Sequence, residues 1–340
     1  MSSILLTILT LVVGAVLVWV LDELLLNPWL TGKIVDRFEK MPTFRVPEVA
    51  ADSAAECVQF RTSDGLQLSG ALWNAHQVDA PGLVLFFPEM TGSCWLASEY
   101  CQAMIRNGYV VFSLDFRGHG GSDSQPGYSP LHWLSEFEML DVAAALEFVE
   151  SHPRLSTLPI LAFGVSRGGV AALTAGGRYP RIRGVIADSA FGTLDTMRFF
   201  ADRFVDLFLP RWLYRLVPEW HVRRTIRRAI AGSEQQRGCS YVQLDAEVQG
   251  LEADRTLLIS GAADTYITPH ISAALVRLLG DAVRAWTVIG ARHNQARWTE
   301  PQTYDRLILR HAAHCLGETQ VADPAVPIAY PVATAVTEPV

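Results

Sequence analysis

Residues 159–169 of the chain read Pro-Ile-Leu-Ala-Phe-Gly-Val-Ser-Arg-Gly-Gly, and the expected fold is built around this segment. A short apolar run ends at Gly164, and Ser166 follows two residues later, with Gly168 two residues beyond it. The pattern predicts a strand, a sharp turn with Ser166 at its apex, and a helix that begins at the next residue. Side chains at the two glycine positions would collide with the strand and the helix. We therefore expect Ser166 to adopt an uncommon backbone conformation that lifts its hydroxyl out of the sheet.

Short apolar runs recur along the chain on both sides of this segment. In chain order, they predict strands at residues 83–87, 109–114, 160–163, 184–187, 256–259 and 285–289. Helix-like segments lie between them, as at residues 93–107 and 134–150, and an alternating pattern at residues 58–73 predicts a hairpin ahead of them. Strands that alternate with helices predict an α/β fold with a mostly parallel sheet, covered by helices on both faces and opened by an antiparallel hairpin.

The N-terminus carries a candidate transmembrane helix. Residues 4–21 form an uncharged, almost wholly apolar run of 18 residues, at the lower edge of the length that crosses a bilayer. A cleaved signal peptide is the alternative, but no basic residue precedes the run and no small-x-small cleavage site follows it. We therefore favour a retained anchor at residues 1–25. Since Lys33, Arg37 and Lys40 follow the run, the positive-inside rule places the rest of the chain in the cytoplasm.

Composition narrows the classes of partner and cofactor. A hydrophobic content of 50% is ample for a buried core, and the net charge of -7 gives no reason to propose nucleic acid as a partner. The five cysteines show no C-x-x-C spacing, which favours reduced thiols over a disulfide framework or a zinc site. We expect neither a metal nor a cofactor.

A long segment at residues 191–250 interrupts the alternation of strands and helices. Its large aromatic residues are Phe199, Phe200, Phe204, Phe208, Trp212, Tyr214 and Trp220. Its arginines are Arg198, Arg203, Arg211, Arg215, Arg223, Arg224, Arg227 and Arg228. We interpret the segment as an amphipathic helical cap over the mouth of the sheet. Two roles stay open: its arginines pair with the chain's own acids on a solvated face, or the cap contacts substrate or an anionic membrane.

The other expected boundaries follow from these segments. A linker of mixed charge spans residues 26–56, the main domain spans residues 57–316, and a tail rich in proline and small residues at 317–340 is expected to be disordered.

A serine nucleophile needs a base, and the base needs a group that orients it. His293 lies just after the last predicted strand, and Asp264 lies just after the strand at residues 256–259. Asp188, after the strand at residues 184–187, is the rival acid. All these residues fall at the C-terminal ends of predicted strands, where an open parallel sheet places its ligand crevice. The sequence thus predicts that Ser166, His293 and Asp264 meet in one site.

Four separated motifs together resemble the α/β-hydrolase-fold serine hydrolases, in the branch of esterases, monoacylglycerol lipases and aminopeptidase-like enzymes. The motifs are residues 164–168, the run Asp-Phe-Arg-Gly-His-Gly-Gly-Ser at 115–122, residues 261–264 with Pro269, and the loop around His293. The chain order Ser166, Asp264, His293 is also the order of this fold. The resemblance implies that Asp115 and Arg117 pin a glycine-rich turn and do no chemistry.

The resemblance also implies an activity. Together with the N-terminal apolar run, it leads us to expect a membrane-anchored serine hydrolase that cleaves an ester, thioester or related acyl bond. The partner expected is a small-molecule acyl substrate, with lipid-like molecules among the candidates. In that reading Ser166 attacks, His293 transfers the proton and Asp264 orients His293. A peptidase, an acyltransferase and an inactive hydrolase fold that serves as a binding module remain the alternatives.

The oxyanion hole departs from the family pattern. By position, the backbone N–H groups of Arg167 and Met90 would stabilise the developing oxyanion. Such enzymes usually carry His-Gly where this chain has Pro88-Glu89. Because a carboxylate at this point would repel the oxyanion, we expect Glu89 to point outward or, as the alternative, to bind a cationic group of the substrate.

Overall fold

An eight-stranded sheet forms the centre of the fold in the computed structural model, which describes residues 2–40, 46–207 and 210–317. Its strands are β1 (Glu56–Arg61), β2 (Gln67–Trp73), β3 (Leu83–Phe87), β4 (Val110–Leu114), β5 (Ile160–Val165), β6 (Ile182–Asp188), β7 (Thr256–Gly261) and β8 (Arg284–Val288). The strand order is β1-β2-β4-β3-β5-β6-β7-β8. β2 pairs antiparallel with both β1 and β4, and every later pair is parallel. The predicted mostly parallel sheet with an antiparallel hairpin is confirmed, and this is the α/β-hydrolase fold.

Helices connect the strands. The α-helices are α1 (Ser2–Leu21), α2 (Asn27–Phe38), α3 (Ala97–Tyr100), α4 (Gln102–Arg106), α5 (Glu136–Ser151), α6 (Arg167–Arg178), α7 (Thr193–Phe204), α8 (Arg211–Tyr214), α9 (Glu219–Arg237), α10 (Leu244–Glu247), α11 (Pro269–Leu279), α12 (Ala296–Thr299) and α13 (Pro301–Leu316). A π-helical turn, Asp22–Leu26, joins α1 to α2, and 3-10 turns lie at Cys94–Leu96, Leu155–Thr157, Val205–Leu207, Val248–Gly250 and Ala253–Arg255. The helix expected at residues 93–107 is therefore broken into a 3-10 turn and two short helices.

The central strands are buried along their whole length. Every residue of β3, β4 and β5 is buried, as expected for parallel strands that helices cover on both faces. The sheet can therefore hold the end of β5, which Ser166 follows, and the end of β3, which leads to Met90, at fixed positions.

The glycine-rich turn after β4 is held by two charged side chains, as expected. Asp115 accepts hydrogen bonds from the N–H of Gly121 (2.9 Å) and the N–H of Cys94 (2.6 Å). Arg117 is fully buried and contacts the carboxylates of Asp141 (2.7 Å) and Asp64 (2.8 Å). A buried arginine needs such partners, because an unpaired charge in the interior is strongly destabilising. Both side chains therefore stabilise the glycine-rich turn.

The chain divides into two compact units. One holds the sheet, and the other combines α1, the π-helical turn and α2 with residues 197–238. Within this second unit, α2 packs along α9: Asn27 donates from its amide to the Thr225 hydroxyl (3.0 Å), and the Ser233 hydroxyl donates to Glu39 (2.7 Å). A Cβ atom at Gly232 would lie 3.6 Å from Val35.

Part of the expected linker is therefore helical. The composition predicts a linker at residues 26–56, but residues 27–38 form α2, and α2 buries Asn27, Val35 and Phe38. The reason is the contact with α9, whose residues are about two hundred positions away in the sequence. The tail at residues 318–340 and Phe208 lie outside the described residues.

α1 is long and apolar enough to cross a membrane, a property that it shares with signal sequences. Its side chains from Ser3 to Trp19 are exposed in the structure.

Candidate active site

The turn after β5 holds Ser166 in the uncommon conformation that the sequence predicts. Ser166 has φ +53° and ψ −118°, and α6 begins at the next residue. Its N–H donates to the carbonyl of Asp188 (2.7 Å), which fixes the turn to the end of β6. A Cβ atom at Gly164 would lie 1.9 Å from the carbonyl oxygen of Gly168, so no side chain fits there. The strained turn thus depends on its glycine neighbours.

Three side chains from three strand ends form a continuous hydrogen-bonded line. Ser166 Oγ lies 3.0 Å from His293 Nε2, and His293 Nδ1 lies 2.7 Å from Asp264 Oδ2. Because a carboxylate oxygen only accepts, Nδ1 carries the proton and Nε2 is left to accept the serine hydroxyl. The other oxygen of Asp264 accepts from the N–H groups of Tyr266 and Ile267, both at 2.8 Å. The structure therefore brings together the residues that the sequence predicts, within reach for proton transfer.

The rival acid Asp188 has other partners. One of its oxygens accepts from the Ser189 hydroxyl and the other from the Tyr304 hydroxyl, each at 2.9 Å. Burial raises the pKa of Asp188 to about 6. Its two oxygens are thus engaged in the interior, and the hydrogen bond to His293 comes from Asp264.

The expected oxyanion donors lie on segments that pack tightly against each other. A Cβ atom at Gly168 would lie 2.0 Å from the carbonyl oxygen of Phe87, at the end of β3. The loop that carries Met90 therefore starts beside the first turn of α6, where the N–H of Arg167 lies. The side chain of Arg167 serves the structure, because it is buried, donates to the Leu131 carbonyl (3.0 Å) and stacks over a phenylalanine ring.

Glu89 does not point outward, so that expectation is wrong. Glu89 is only 2% exposed. The Asn294 side-chain amide donates to Glu89 Oε2, and the Tyr100 hydroxyl lies 3.4 Å from Glu89 Oε1. Burial, together with the charge of Asp188, raises the pKa of Glu89 to about 8. The physical reason is that the loop after β3 packs against the loop that carries His293, so Glu89 meets a partner about two hundred residues away. Sequence reasoning missed Tyr100 and Asn294, and only the position of Asn294 next to His293 hinted at a role.

A chain of aromatic contacts begins beside His293. The Tyr266 ring meets the His293 ring edge to face at 5.4 Å, and Phe191 lies 6.3 Å from Tyr266. Trp133 packs against Phe191 at 5.6 Å. One side of the His293 ring is therefore covered by an aromatic ring.

Metal-ligating side chains are scattered through the structure. In the ranges 2–40, 46–207 and 210–317, no three His, Cys, Asp or Glu side chains lie close enough together to hold a metal ion. Cys94, Cys101 and Cys315 are buried, whereas Cys57 is exposed.

Comparisons with known proteins agree with the fold. The sequence profile of the serine aminopeptidase (S33) family matches residues 79–283, more than half of the chain. An esterase from Pyrococcus furiosus is 19% identical, with a TM-score of 0.58, over 82% of this chain and 98% of the esterase. An α/β hydrolase from a Penicillium species is 16% identical, with a TM-score of 0.55, over 77% of this chain and 99% of its own. The esterase domain of a Rhodothermus marinus protein is 17% identical, with a TM-score of 0.52, over 77% of this chain and 99% of the domain.

Replacing Gly168 should disrupt the site. In Gly168→Ala the new Cβ has no room beside the Phe87 carbonyl, so β3 and α6 must separate. We expect a loss of about 1–3 kcal/mol in the free energy of unfolding, measured by urea denaturation. The matched control is Gly192→Ala, whose Cβ would meet its nearest atom at 3.6 Å and which should change stability by less than about 1 kcal/mol. Equal stabilities of the two variants would contradict this account of the turn.

Proposed function

The chain belongs to the serine aminopeptidase (S33) family of α/β hydrolases, and from this membership and the site geometry we propose that it is a membrane-anchored serine hydrolase that cleaves an ester, thioester or related acyl bond. The observation that carries the proposal is the line of hydrogen bonds from Ser166 through His293 to Asp264. A nucleophile, a base and an orienting acid in this order form the machinery of acyl transfer to serine.

The proposed reaction has two halves. Ser166 Oγ attacks the acyl carbon while His293 Nε2 takes the hydroxyl proton and then gives it to the leaving group. Water attacks the resulting acyl-enzyme, with His293 again as the base, and releases the acid. Asp264 keeps His293 oriented and stabilises its cation. The N–H groups of Met90 and Arg167 would stabilise the oxyanion of each tetrahedral intermediate.

An ester is favoured over a peptide with a free N-terminus. A cationic substrate group, such as the amine of a peptide, needs an acidic partner, and Glu89 is the candidate that the sequence suggests for a cationic group. The oxygens of Glu89 instead face Asn294 and Tyr100 in the interior. The Tyr266 ring beside His293 suits an acyl chain, and two of the similar structures are esterases.

The N-terminal helix is proposed to be a retained anchor, because the residues just after its apolar run are part of the fold. Asp22 lies 2.7 Å from His221, and both side chains are mostly buried. Glu23 pairs with Arg224 at 2.6 Å and Arg228 at 2.9 Å. A cut between Glu23 and α2 would remove both acids from their partners on α9. Lys33 and Arg37 of α2 and Lys40 just after it favour a cytoplasmic location for the rest of the chain.

The arginines of the cap divide into two groups. The paired ones are Arg198 with Glu219, Arg211 with Asp206, Arg223 with Glu219, and Arg224 and Arg228 with Glu23. In the described part of the chain, Arg203, Arg215 and Arg227 form no ion pair. The pairing supports the view that most cap arginines bind the chain's own acids. Any contact with lipid headgroups is proposed to rest on Arg227 and Trp220, which line one groove of about 420 Å³ on α9.

The nucleophile can be tested by probe labelling. Ser166→Ala should lose ester turnover and labelling by a fluorophosphonate while it keeps the thermal unfolding midpoint of the wild type. His293→Ala should lose a similar amount and the double variant little more, because the members of a triad act as a unit. Substantial turnover by purified Ser166→Ala would refute the assignment. A wild type that neither turns over esters nor labels would favour a binding module.

The acid can be tested by a pair of matched substitutions. Asp264→Asn should lower kcat by about three to four orders of magnitude, because it removes the acceptor that holds His293 in the productive tautomer. Asp188→Asn should act mainly on stability, measured as the unfolding midpoint, since its oxygens bind Ser189 and Tyr304. A dead Asp188 variant beside an active Asp264 variant would reverse the roles of the two acids.

The anchor can be tested on the full chain in cells. We expect the protein to remain in the membrane pellet after washes with high salt and with alkaline carbonate. The intact mass of the purified protein should include residues 2–21. A soluble protein whose N-terminus lies beyond residue 21 would identify the apolar run as a signal peptide.

A further inference from the structure

Glu89 lies next to Met90, in the loop between β3 and α3, and the reaction scheme above gives its side chain no role. We propose that Glu89, as a neutral carboxylic acid, is a positioning residue that ties the loop of Met90 to the loop of His293. Its effect on turnover rests on the proposed function, whereas its protonation does not.

Glu89, Tyr100 and Asn294 form a closed ring of buried contacts. The Asn294 side-chain amide donates to Glu89 Oε2, and the Tyr100 hydroxyl lies 3.4 Å from Glu89 Oε1 and 3.2 Å from the backbone carbonyl oxygen of Asn294. Exposed fractions are 2% for Glu89, 0% for Tyr100 and 7% for Asn294. Water therefore has little access to these three contacts.

The number of hydroxyl protons in the ring determines whether protonated or ionised Glu89 fits it. Tyr100 has one hydroxyl proton but faces two oxygen atoms that accept hydrogen bonds. If Glu89 is protonated, it donates to the Tyr100 oxygen, Tyr100 donates to the Asn294 carbonyl, and the Asn294 amide donates back to Glu89. Every contact in the ring then has one donor and one acceptor. An ionised Glu89 would compete for the only hydroxyl proton and leave one contact without a donor.

The surrounding groups also favour the neutral form. Asp188 faces Glu89 from the end of β6, with Tyr304 of α13 bound to it, Tyr100 faces it from α3, and His293 lies one residue from Asn294. Burial and the charge of Asp188 raise the pKa of Glu89 to about 8. Near neutral pH the side chain therefore carries its proton, in agreement with the count.

The ring bears on catalysis through two neighbours. Met90 follows Glu89 directly, and Asn294, held at φ +58°, follows His293 directly. The ring thus sets the position of a proposed oxyanion donor relative to the base. A neutral Glu89 also leaves no negative charge beside the oxyanion. As the pH rises through about 8, Glu89 ionises, so kcat should fall with little change in KM.

The test compares kcat and KM for p-nitrophenyl butyrate between about pH 6 and about pH 10, on either side of the expected transition. Glu89→Gln keeps the ring, because its amide donates to Tyr100 and its oxygen accepts from Asn294. It should match the wild type at neutral pH within about threefold and lack the alkaline loss of kcat. Glu89→Ala should lower kcat about tenfold to a hundredfold, less than the full loss of an oxyanion donor. Glu150→Gln, the same change on the exposed face of α5, should behave as the wild type.

A second readout does not depend on turnover. Because the folded pKa of Glu89 lies above its ordinary 4.5, the folded state binds the proton more tightly, so wild-type stability falls as the pH rises from about 4.5 to about 8. Glu89→Gln has no such proton, so the unfolding midpoints should diverge over this range and run parallel above it. Midpoints that stay parallel throughout, or a Glu89→Gln variant as impaired as Glu89→Ala, would overturn the proposal. If the midpoints diverge but the protein turns over no ester, the proposal that Glu89 is neutral stands, and only the proposed hydrolase function is refuted.

Discussion

The close approach of β3 to the first turn of α6 is the constraint on which the site depends. At Gly168 no Cβ atom fits, because the carbonyl oxygen of Phe87 occupies its place. This contact sets the start of the Met90 loop beside the N-terminus of α6. The close approach of Gly164 to Gly168 and the hydrogen bond from the Ser166 N–H to Asp188 hold Ser166 in its strained turn at the end of β5. The proposed nucleophile and the proposed oxyanion donors are thus positioned by backbone packing, which needs no particular side chain at either donor.

The buried carboxyl groups of Asp264, Asp188 and Glu89 differ in their hydrogen-bond partners. Asp264 accepts hydrogen bonds from two backbone N–H groups and from His293. Asp188 and Glu89 instead lie among hydroxyl and amide groups, and burial raises the pKa of both. The environment therefore shifts Asp188 and Glu89 toward their neutral forms, which limits the negative charge behind the proposed site.

The second compact unit shows how charges next to an apolar helix can serve packing. Asp22 and Glu23 follow the apolar run directly, where acids contribute little to membrane topology. In the structure they bind His221, Arg224 and Arg228 of α9. The same pairs account for two of the cap arginines that otherwise suggest a membrane-binding face. One set of contacts thus bears on both the anchor and the cap.

Local patterns in the sequence predict the sheet, the strained serine turn and the strand ends that carry Ser166, Asp264 and His293. These patterns are apolar runs, the spacing of Gly164 and Gly168 around Ser166, and polar residues just after strands. The hydrogen bond of His293 to Asp264 rather than to Asp188, the inward turn of Glu89 and the packing of α2 on α9 are visible only in the folded molecule. The orientation of Glu89 and the packing of α2 depend on partners about one hundred or more positions away in the sequence. The choice between Asp264 and Asp188 depends on two neighbouring strands whose sequence patterns are similar. No local pattern can specify which of two buried acids a histidine meets, because that choice is made by packing.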